Sequence, residues 1–357
     1  MREECITDET ADVPVNGPGV WTGETFRNDT SWLHVLNGEQ LRELQAGIKI
    51  WQGQDIHAIR NPADILPSLL PLVETTKEEI ARRGFVMLRG FPISELSDDD
   101  SRRLYWAIGL LYGRGLSQNS HGDFVCPVTN TGVDFGYDGR HSANDVRGYQ
   151  SSADLNFHCD PTDIVGLLCL RKAKSGGESA IVSSGAIYNE IVRQRPDCLA
   201  RLKRGFFYDR KGQNWGEEPP TTPRIPVFVR HPDRVSCRYG RSYINGGGGK
   251  ADAPLDNMDR EALDFFDLTA RRDDLAMQMA FEPGDIQLLN NLSVLHGRRS
   301  YVDHPEPQRR RYLFRLWLEC SNDTIWGEED DVMRHAYARF GNLGWDSANR
   351  HRIRGVA

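Results

Sequence analysis

The sequence predicts an α+β protein with a mostly β core and helices packed outside it. After residue 148, short apolar runs separated by turn residues recur along the chain, a pattern typical of strands. Helical periodicity interrupts these runs at 186–203 and 259–270. The chain has 357 residues, of which 39% are apolar, so it can build one large core or two ordinary domains.

The N-terminal third of the chain predicts helices around one buried strand. Residues 1–64 carry early glycine and proline and little periodicity beyond a short amphipathic helix at 41–50, so we expect an extension packed on the core. Longer helical patterns follow at 65–83 and 98–112. Between them, the apolar stretch 84–90 has a glycine at each end and predicts a buried strand.

The remaining strands are predicted from continuous apolar runs. These runs lie at 164–170, 180–183, 235–239, 285–294 and 312–318. Four consecutive glycines at 246–249 predict a mobile loop, because glycine loses the most conformational freedom in a regular element.

Charge and hydropathy argue against nucleic acid and membrane partners. The net charge is −7, from 44 basic and 51 acidic residues that are interspersed, so no broad attraction to phosphate backbones or anionic lipids is expected. No long apolar run and no secretory signal is found, which predicts a cytoplasmic protein. The seven cysteines lack CxxC spacing, which argues against a disulfide framework or a zinc ribbon. Oligomeric state is not readable from the sequence.

Three residues are candidate metal ligands. His158 and Asp160 are two positions apart, so on a strand both side chains project from the same face. This pair alone is a weak signal, since a hydrogen-bonded pair at a strand end has the same spacing. His296 closes a long apolar run and would complete two histidines and one carboxylate. Such a set leaves three coordination positions open, which suits non-haem Fe(II) oxygen chemistry.

Two arginines lie on the strand that follows His296 in the chain. Alternation over 311–318 places Arg311, Arg315 and Trp317 on one face. A strand this apolar is expected to be central, so both guanidinium groups need anions. Internal salt bridges are one interpretation. The other is an anionic ligand beside the metal, which arginine can grip through two parallel hydrogen bonds.

Taken together, these residues resemble the Fe(II)- and 2-oxoglutarate-dependent dioxygenases of the taurine dioxygenase and clavaminate synthase-like type. The resemblance covers roughly residues 65–320, with its motifs in the expected order. The matching stretches are GFVMLRGFP at 84–92, VRGYQ at 146–150, GGES at 176–179, PGD at 283–285, NN at 290–291, HGR at 296–298, DHP at 303–305 and the arginines at 311 and 315.

The resemblance implies a double-stranded β-helix, which is a jelly roll, with flanking helices. This domain would span 65–330, and the segment at about 184–280 would form a lid or insertion. Residues 331–357 would be a C-terminal tail.

The resemblance also implies roles for five residues. His158, Asp160 and His296 would hold Fe(II). Arg311 would grip the distal carboxylate of the cosubstrate 2-oxoglutarate, and Ser179 would place a hydroxyl on the same carboxylate.

Further residues are candidates for binding the substrate, a small molecule. Arg315 would meet an acidic group of the substrate or adjoin the cosubstrate. Weaker candidates for the pocket are Leu155, Tyr149, Gln118 and Tyr239.

The activity implied is oxidation of a C–H bond by O2, coupled to decarboxylation of 2-oxoglutarate to succinate and CO2. Hydroxylation is the default, and desaturation, epoxidation or cyclisation are other outcomes. The substrate class implied is small, acidic or amino-acid-like, of the kind met in secondary metabolism. The intact carboxylate of Asp160 argues against halogenase chemistry. Two alternatives stay open, a zinc-type hydrolase or lyase and a non-catalytic jelly-roll binding protein.

Overall fold

The computed structural model describes residues 12–119, 122–132, 148–212 and 219–320, so the predicted tail at 331–357 lies outside it. Elements are numbered in chain order. The α-helices are α1 (Gly38–Trp51), α2 (Leu70–Arg82), α3 (Asp98–Tyr112), α4 (Ser184–Gln194), α5 (Pro196–Arg204), α6 (Arg241–Lys250) and α7 (Asn257–Ala270). None of the helices in these ranges has the length and apolar content needed to cross a bilayer.

The strands are short, as the turn-separated apolar runs predicted. They are β1 (Leu33–Val35), β2 (Phe85–Arg89), β3 (Arg114–Leu116), β4 (Val125–Val128), β5 (Leu155–His158), β6 (Ile164–Arg171), β7 (Ser175–Gly176), β8 (Ser179–Ser183), β9 (Phe228–Arg230), β10 (Val235–Cys237), β11 (Met277–Met279), β12 (Ile286–Asn290), β13 (Val294–Arg298), β14 (Tyr301–Val302) and β15 (Tyr312–Glu319). Short 3-10 helices lie at Gly23–Phe26, Ile56–Ala58, Pro62–Asp64, Pro67–Leu69, Ile93–Glu95, Gly148–Gln150 and Pro307–Arg309.

The larger sheet has seven strands in the order β1-β2-β12-β6-β15-β3, with β4 also paired to β15. Strand β15 lies between β6 and the pair β3 and β4, which confirms that the arginine-bearing strand is central. Helix α3 covers one face of β15, since a Cβ added at Gly109 would lie 2.1 Å from Cδ2 of Leu316. Because side chains alternate along a strand, Arg315 projects from the opposite face.

The smaller sheet has four strands in the order β11-β8-β13-β5. The pairing of β13 with the edge strand β5 places His296 opposite His158. The two sheets face each other, because the hydroxyl of Ser179 on β8 donates to Oε1 of Gln287 on β12 at 3.2 Å. His158 and His296 therefore lie on the smaller sheet, and Asp160 follows the end of β5 with its carboxylate beside Arg315 and Trp317 of β15. Strands β9 with β10 and β7 with β14 form two further pairs.

The strand predicted at 285–294 is wrong as a single element. The chain forms β12 in the larger sheet, turns, and continues as β13 in the smaller sheet. The side chain of Asn290 makes the turn by accepting a hydrogen bond from the backbone N–H of Leu292 at 2.9 Å. The helix predicted at 186–203 is likewise divided into α4 and α5, because Pro196 disfavours helical backbone at the residue before it.

The predicted mobile loop at 246–249 is also wrong, because these glycines belong to α6. A Cβ at Gly247 would lie 2.0 Å from the carbonyl oxygen of Phe207, and one at Gly246 would lie 2.7 Å from Oδ2 of Asp209. The helix approaches the preceding backbone too closely for any side chain at these positions. Close packing therefore explains Gly246 and Gly247, at the cost of helix propensity, whereas a Cβ at Gly249 would meet no atom within 4 Å.

The segment at 184–280, predicted as a lid or insertion, contains α4 to α7 and β9 to β11 where it is described. Its last strand, β11, pairs with β8 and completes the smaller sheet. The N-terminal extension contributes β1, which pairs in parallel with β2 at the edge of the larger sheet. The domain boundaries themselves stay predictions.

Candidate metal centre and its cavity

The three candidate ligands converge between the two sheets. The Nε2 atoms of His158 and His296 lie 3.8 Å and 3.7 Å from the carboxylate oxygens of Asp160. These distances are too long for hydrogen bonds, yet the three ligand atoms all lie within 4.8 Å of one another. Such spacing leaves room for one ion coordinated by all three side chains.

Both imidazoles are prepared to act as ligands. Nδ1–H of His158 donates to the carbonyl oxygen of Asn156 at 2.8 Å, which leaves the Nε2 lone pair free for a metal. Burial lowers the pKa of His158, and burial together with the neighbouring His158 lowers the pKa of His296 to about 3. Both rings are therefore neutral near pH 7, as metal binding requires.

The carboxylate of Asp160 is held by groups of the larger sheet. Nε1 of Trp317 donates to Oδ2 at 3.0 Å, and Nη1 of Arg315 lies 3.2 Å from the same atom. Burial alone would raise the pKa of Asp160, but Arg315 and the two histidines hold it at about 2. The ligand set is thus two neutral imidazoles and one ionised carboxylate, which fits Fe(II) in a facial triad.

Arg315 connects this carboxylate to the pocket candidate Gln118. Its Nε donates to Oε1 of Gln118 at 2.7 Å, and the amide of Gln118 donates to the carbonyl oxygens of Phe124 and Arg315. The guanidinium carbon also lies 4.9 Å from the ring centroid of Tyr149. Gln118 therefore supports Arg315 and is not one of the residues that line the cavity.

One cavity brings most of the predicted site residues together. Its lining includes these seven of them: Tyr149, Leu155, His158, Ser179, His296, Arg311 and Arg315. Arg311 is buried, its Nη2 donates to the carbonyl oxygen of Gly177 at 3.4 Å, and burial lowers its pKa. The rest of the lining is mainly apolar, from residues such as Val128, Leu167 and Phe281.

The structure does not place Tyr239 in this cavity, which corrects that prediction. Its hydroxyl donates to Oδ1 of Asp267 at 2.7 Å, and its ring stacks on Phe266 with centroids 4.0 Å apart. The carbonyl oxygen of Tyr239 accepts the backbone N–H of Cys159, the residue between His158 and Asp160, at 2.8 Å. An apolar strand pattern does not distinguish a pocket aromatic from a core aromatic.

Sequence reasoning missed Trp317 and Asn291 as supports of the metal centre. Oδ1 of Asn291 accepts the backbone N–H of Asp160 at 3.2 Å, and Trp317 bonds the carboxylate directly. A signal for Trp317 was present, since alternation placed it on the face of Arg315. Asn291 belongs to the NN pair of the resemblance, but nothing in the sequence indicated this contact, which joins the turn between β12 and β13 to the segment after β5.

Comparison with known proteins identifies the family. Residues 53–317 match the family described as "Taurine catabolism dioxygenase TauD, TfdA family". FR-33289 synthase from Streptomyces rubellomurinus (strain ATCC 31215) is 33% identical over 315 residues, which cover 87% of this chain and 91% of that protein.

Solved structures share the fold. Asparagine oxygenase in complex with Fe(II), 2S,3S-3-hydroxyasparagine and succinate aligns with a TM-score of 0.63 at 16% identity, covering 81% of this chain and 93% of that one. The non-heme iron oxygenase OrfP in complex with Fe and alpha-ketoglutaric acid aligns with a TM-score of 0.58 at 13% identity, covering 81% and 94%.

The fold and the site define an Fe(II)- and 2-oxoglutarate-dependent dioxygenase. The chain belongs to the taurine catabolism dioxygenase TauD, TfdA family, because the match extends over well more than half of its length. Iron is therefore its metal and 2-oxoglutarate its cosubstrate. This confirms the enzyme class expected from the sequence over the zinc hydrolase and the non-catalytic binding protein.

Proposed function

We propose that this dioxygenase oxidises a C–H bond of a small acidic or amino-acid-like molecule. His158, Asp160 and His296 are the iron ligands, and Arg311 with Ser179 anchors the distal carboxylate of 2-oxoglutarate. One observation carries the proposal, namely that both histidines, Ser179 and Arg311 line a single cavity while Asp160 lies beside the histidine Nε2 atoms. Two facing sheets support the double-stranded β-helix as the fold.

Some of these residues hold the metal, and others orient the cosubstrate. Bound Fe(II) with 2-oxoglutarate supplies the oxidation by O2, with release of succinate and CO2. Arg311 contributes a buried positive charge to the cavity lining, which can hold a carboxylate in one orientation. The apolar part of the lining excludes water from the reacting atoms. Hydroxylation is the expected outcome, since it needs no further group from the protein.

The substrate class is supported by Arg315 and by the fold relatives. Nε and Nη1 of Arg315 bond Gln118 and Asp160, while Nη2 has no hydrogen-bond partner in the part of the chain described. This nitrogen is available to an acidic group of the substrate, beside Tyr149 and Leu155. The solved asparagine oxygenase carries 3-hydroxyasparagine, and OrfP has been solved with (3S)-hydroxy-L-Arg, so both handle amino acids.

An anaerobic titration of the metal-free protein with Fe(II) and 2-oxoglutarate tests the ligand assignment. The wild type is expected to develop the weak visible charge-transfer band of the iron chelate. The band should vanish in His158→Ala, because one ligand is lost. In Arg311→Ala the band should appear only at higher concentrations of 2-oxoglutarate, because the distal carboxylate loses its anchor.

Matched controls come from the same residue types outside the cavity. His34→Ala removes a histidine that bonds Glu79, and Arg309→Ala removes an exposed arginine near Glu306. Both should keep the wild-type titration. A wild type that shows no band and retains zinc instead would contradict the proposal.

Succinate release with amino acids and small organic acids tests the substrate class. Arg315→Ala should raise the KM for an acidic substrate. The acidic-substrate assignment fails if Arg315→Ala leaves that KM unchanged while Arg311→Ala weakens 2-oxoglutarate binding alone.

A further inference from the structure

Arg298 and Arg311 are two buried arginines at one end of the cavity, with 6% and 5% of their surfaces exposed. Nη2 of Arg298 donates to the carbonyl oxygens of Ser151 and Ala153. Its Nε and Nη1 are buried without a hydrogen-bond partner among the described residues, and so is Nη1 of Arg311. Each guanidinium therefore keeps N–H donors that the protein itself does not use.

The two guanidinium groups converge on one place. Their carbon atoms lie 4.8 Å and 5.2 Å from the ring centroid of Tyr301. Arg298 pairs in register with Ser179 across β13 and β8, and a Cβ at Gly177 would lie 3.1 Å from Nε of Arg311. Both arginines and Ser179 line the cavity. Both side chains thus lie near Tyr301 and the start of β8, in the lining of the same cavity.

No carboxylate of the described chain neutralises either charge at ion-pair distance. Oδ1 of Asp303 accepts the backbone N–H of Arg311 at 2.8 Å, not its guanidinium group. Both guanidinium groups are positively charged near pH 7, as arginine is in proteins generally. Two adjacent buried cations with free donors are costly, and an anion bound between them removes that cost.

We propose that Arg298 is a second anchor for 2-oxoglutarate, so that its distal carboxylate is held between Arg298 and Arg311. This inference rests on the proposed role of Arg311 and Ser179. The carboxylate has two oxygens and accepts at least four hydrogen bonds, so it can take the free donors of both guanidinium groups. Nη2 of Arg298 stays on the carbonyl oxygens of Ser151 and Ala153, which orients the rest of the fork toward the cavity.

Direct binding measurements on the Fe(II)-loaded protein without O2 test this proposal. Arg298→Gln should weaken the binding of 2-oxoglutarate by about ten- to a hundredfold, which is the usual loss when a charge-assisted hydrogen bond is removed. The comparison ligand is 2-oxopentanoate, which keeps the keto acid but has a methyl group in place of the distal carboxylate. Its affinity should change less than about threefold, since Arg298 would have nothing to bind.

Control variants separate anchoring from folding. Arg299→Gln alters the adjacent, half-exposed arginine, whose Nη2 lies 3.5 Å from Asp273, and should leave 2-oxoglutarate binding unchanged. If Arg298→Gln fails to fold, Arg298→Lys replaces it, with an expected loss of about tenfold because one ammonium cannot serve the carbonyl oxygens and the carboxylate together.

The outcomes are distinguishable from failure of the proposed function. Two results would overturn the second anchor: Arg298 variants that bind 2-oxoglutarate like the wild type, or variants that lose the same affinity for 2-oxoglutarate and for 2-oxopentanoate. In either case the proposed role of Arg311 would still hold if Arg311→Gln weakens 2-oxoglutarate binding. If Arg311→Gln also binds like the wild type, the proposed anchoring role of Arg311 fails as well.

Discussion

Nη1 of Arg315 lies 3.2 Å from Oδ2 of Asp160, so the carboxylate that faces the two histidines is also paired with a buried guanidinium. Arg315 is therefore a positioning residue for the metal ligand, whatever else it binds. The pair also keeps Asp160 ionised in a buried site, since Arg315 is the strongest of the groups that lower its pKa. The central strand of the larger sheet thus orients a candidate ligand that follows the last residue of β5 in the smaller sheet.

Trp317→Phe is expected to weaken Fe(II) binding by about ten- to a hundredfold, as loss of a group that orients a metal ligand usually does. The substitution keeps an aromatic ring and removes only the Nε1–H that bonds Asp160. Anaerobic calorimetric titration with Fe(II) measures the effect. Trp106→Phe is the matched control, because this buried tryptophan packs on Phe124, away from the ligands. Equal Fe(II) affinity in wild type and Trp317→Phe would contradict an orienting role.

Ser179→Ala is expected to weaken the binding of 2-oxoglutarate by about two- to tenfold, the usual effect of losing one hydrogen bond from a neutral hydroxyl. The same anaerobic binding assay measures it. Ser183→Ala serves as control, because this serine on the same strand caps α4 by accepting the N–H of Ala186. That variant should lose about 1 kcal/mol of stability and keep its cosubstrate affinity. An unchanged affinity in Ser179→Ala would remove this residue from the anchor.

The metal-free protein is expected to lose stability as the pH falls below about 6.5, the ordinary pKa of histidine. His296 has a pKa of about 3 when folded, so between these values only the unfolded chain binds its proton. Stability therefore rises with pH across this window, by up to about 1.4 kcal/mol per pH unit from this group. Urea unfolding of chelator-treated protein at several pH values measures the slope.

His296→Gln should reduce that slope, while His34→Gln, which changes a histidine beside Glu79, should keep it. Identical slopes in wild type and His296→Gln would show that this imidazole is not held neutral by burial.

Gly247→Ala is expected to destabilise the fold by several kcal/mol, about the cost of forcing an atom into a packed contact, since its Cβ would lie 2.0 Å from a backbone oxygen. Gly249→Ala lies in the same helix with no atom within 4 Å of the new Cβ. It should instead stabilise by up to about 1 kcal/mol through helix propensity. Urea denaturation of both variants measures the difference. A Gly247→Ala protein as stable as Gly249→Ala would mean that α6 does not approach residue 207 so closely.

Local patterns in the sequence carried much of the fold and the candidate ligands. Helix α3 follows its predicted bounds, 98–112, because it begins at a serine cap and ends at a glycine. The central strand at 312–318 was recognisable because it is apolar on both faces. The His158 and Asp160 pair and the two arginines were found through strand alternation, which depends only on neighbours along the chain.

Contacts between distant residues were decided by the tertiary structure alone. Strand register places His296 beside His158, and Trp317 bonds Asp160 although 157 residues separate them. In the tertiary structure the glycines at 246–249 belong to a helix, and the side chain of Tyr239 packs in the core. Periodicity indicates which face of an element is apolar, whereas contacts between the two sheets depend on strand register and close packing. The sequence by itself therefore determined the candidate ligands, and the tertiary structure determined which residues hydrogen-bond to them.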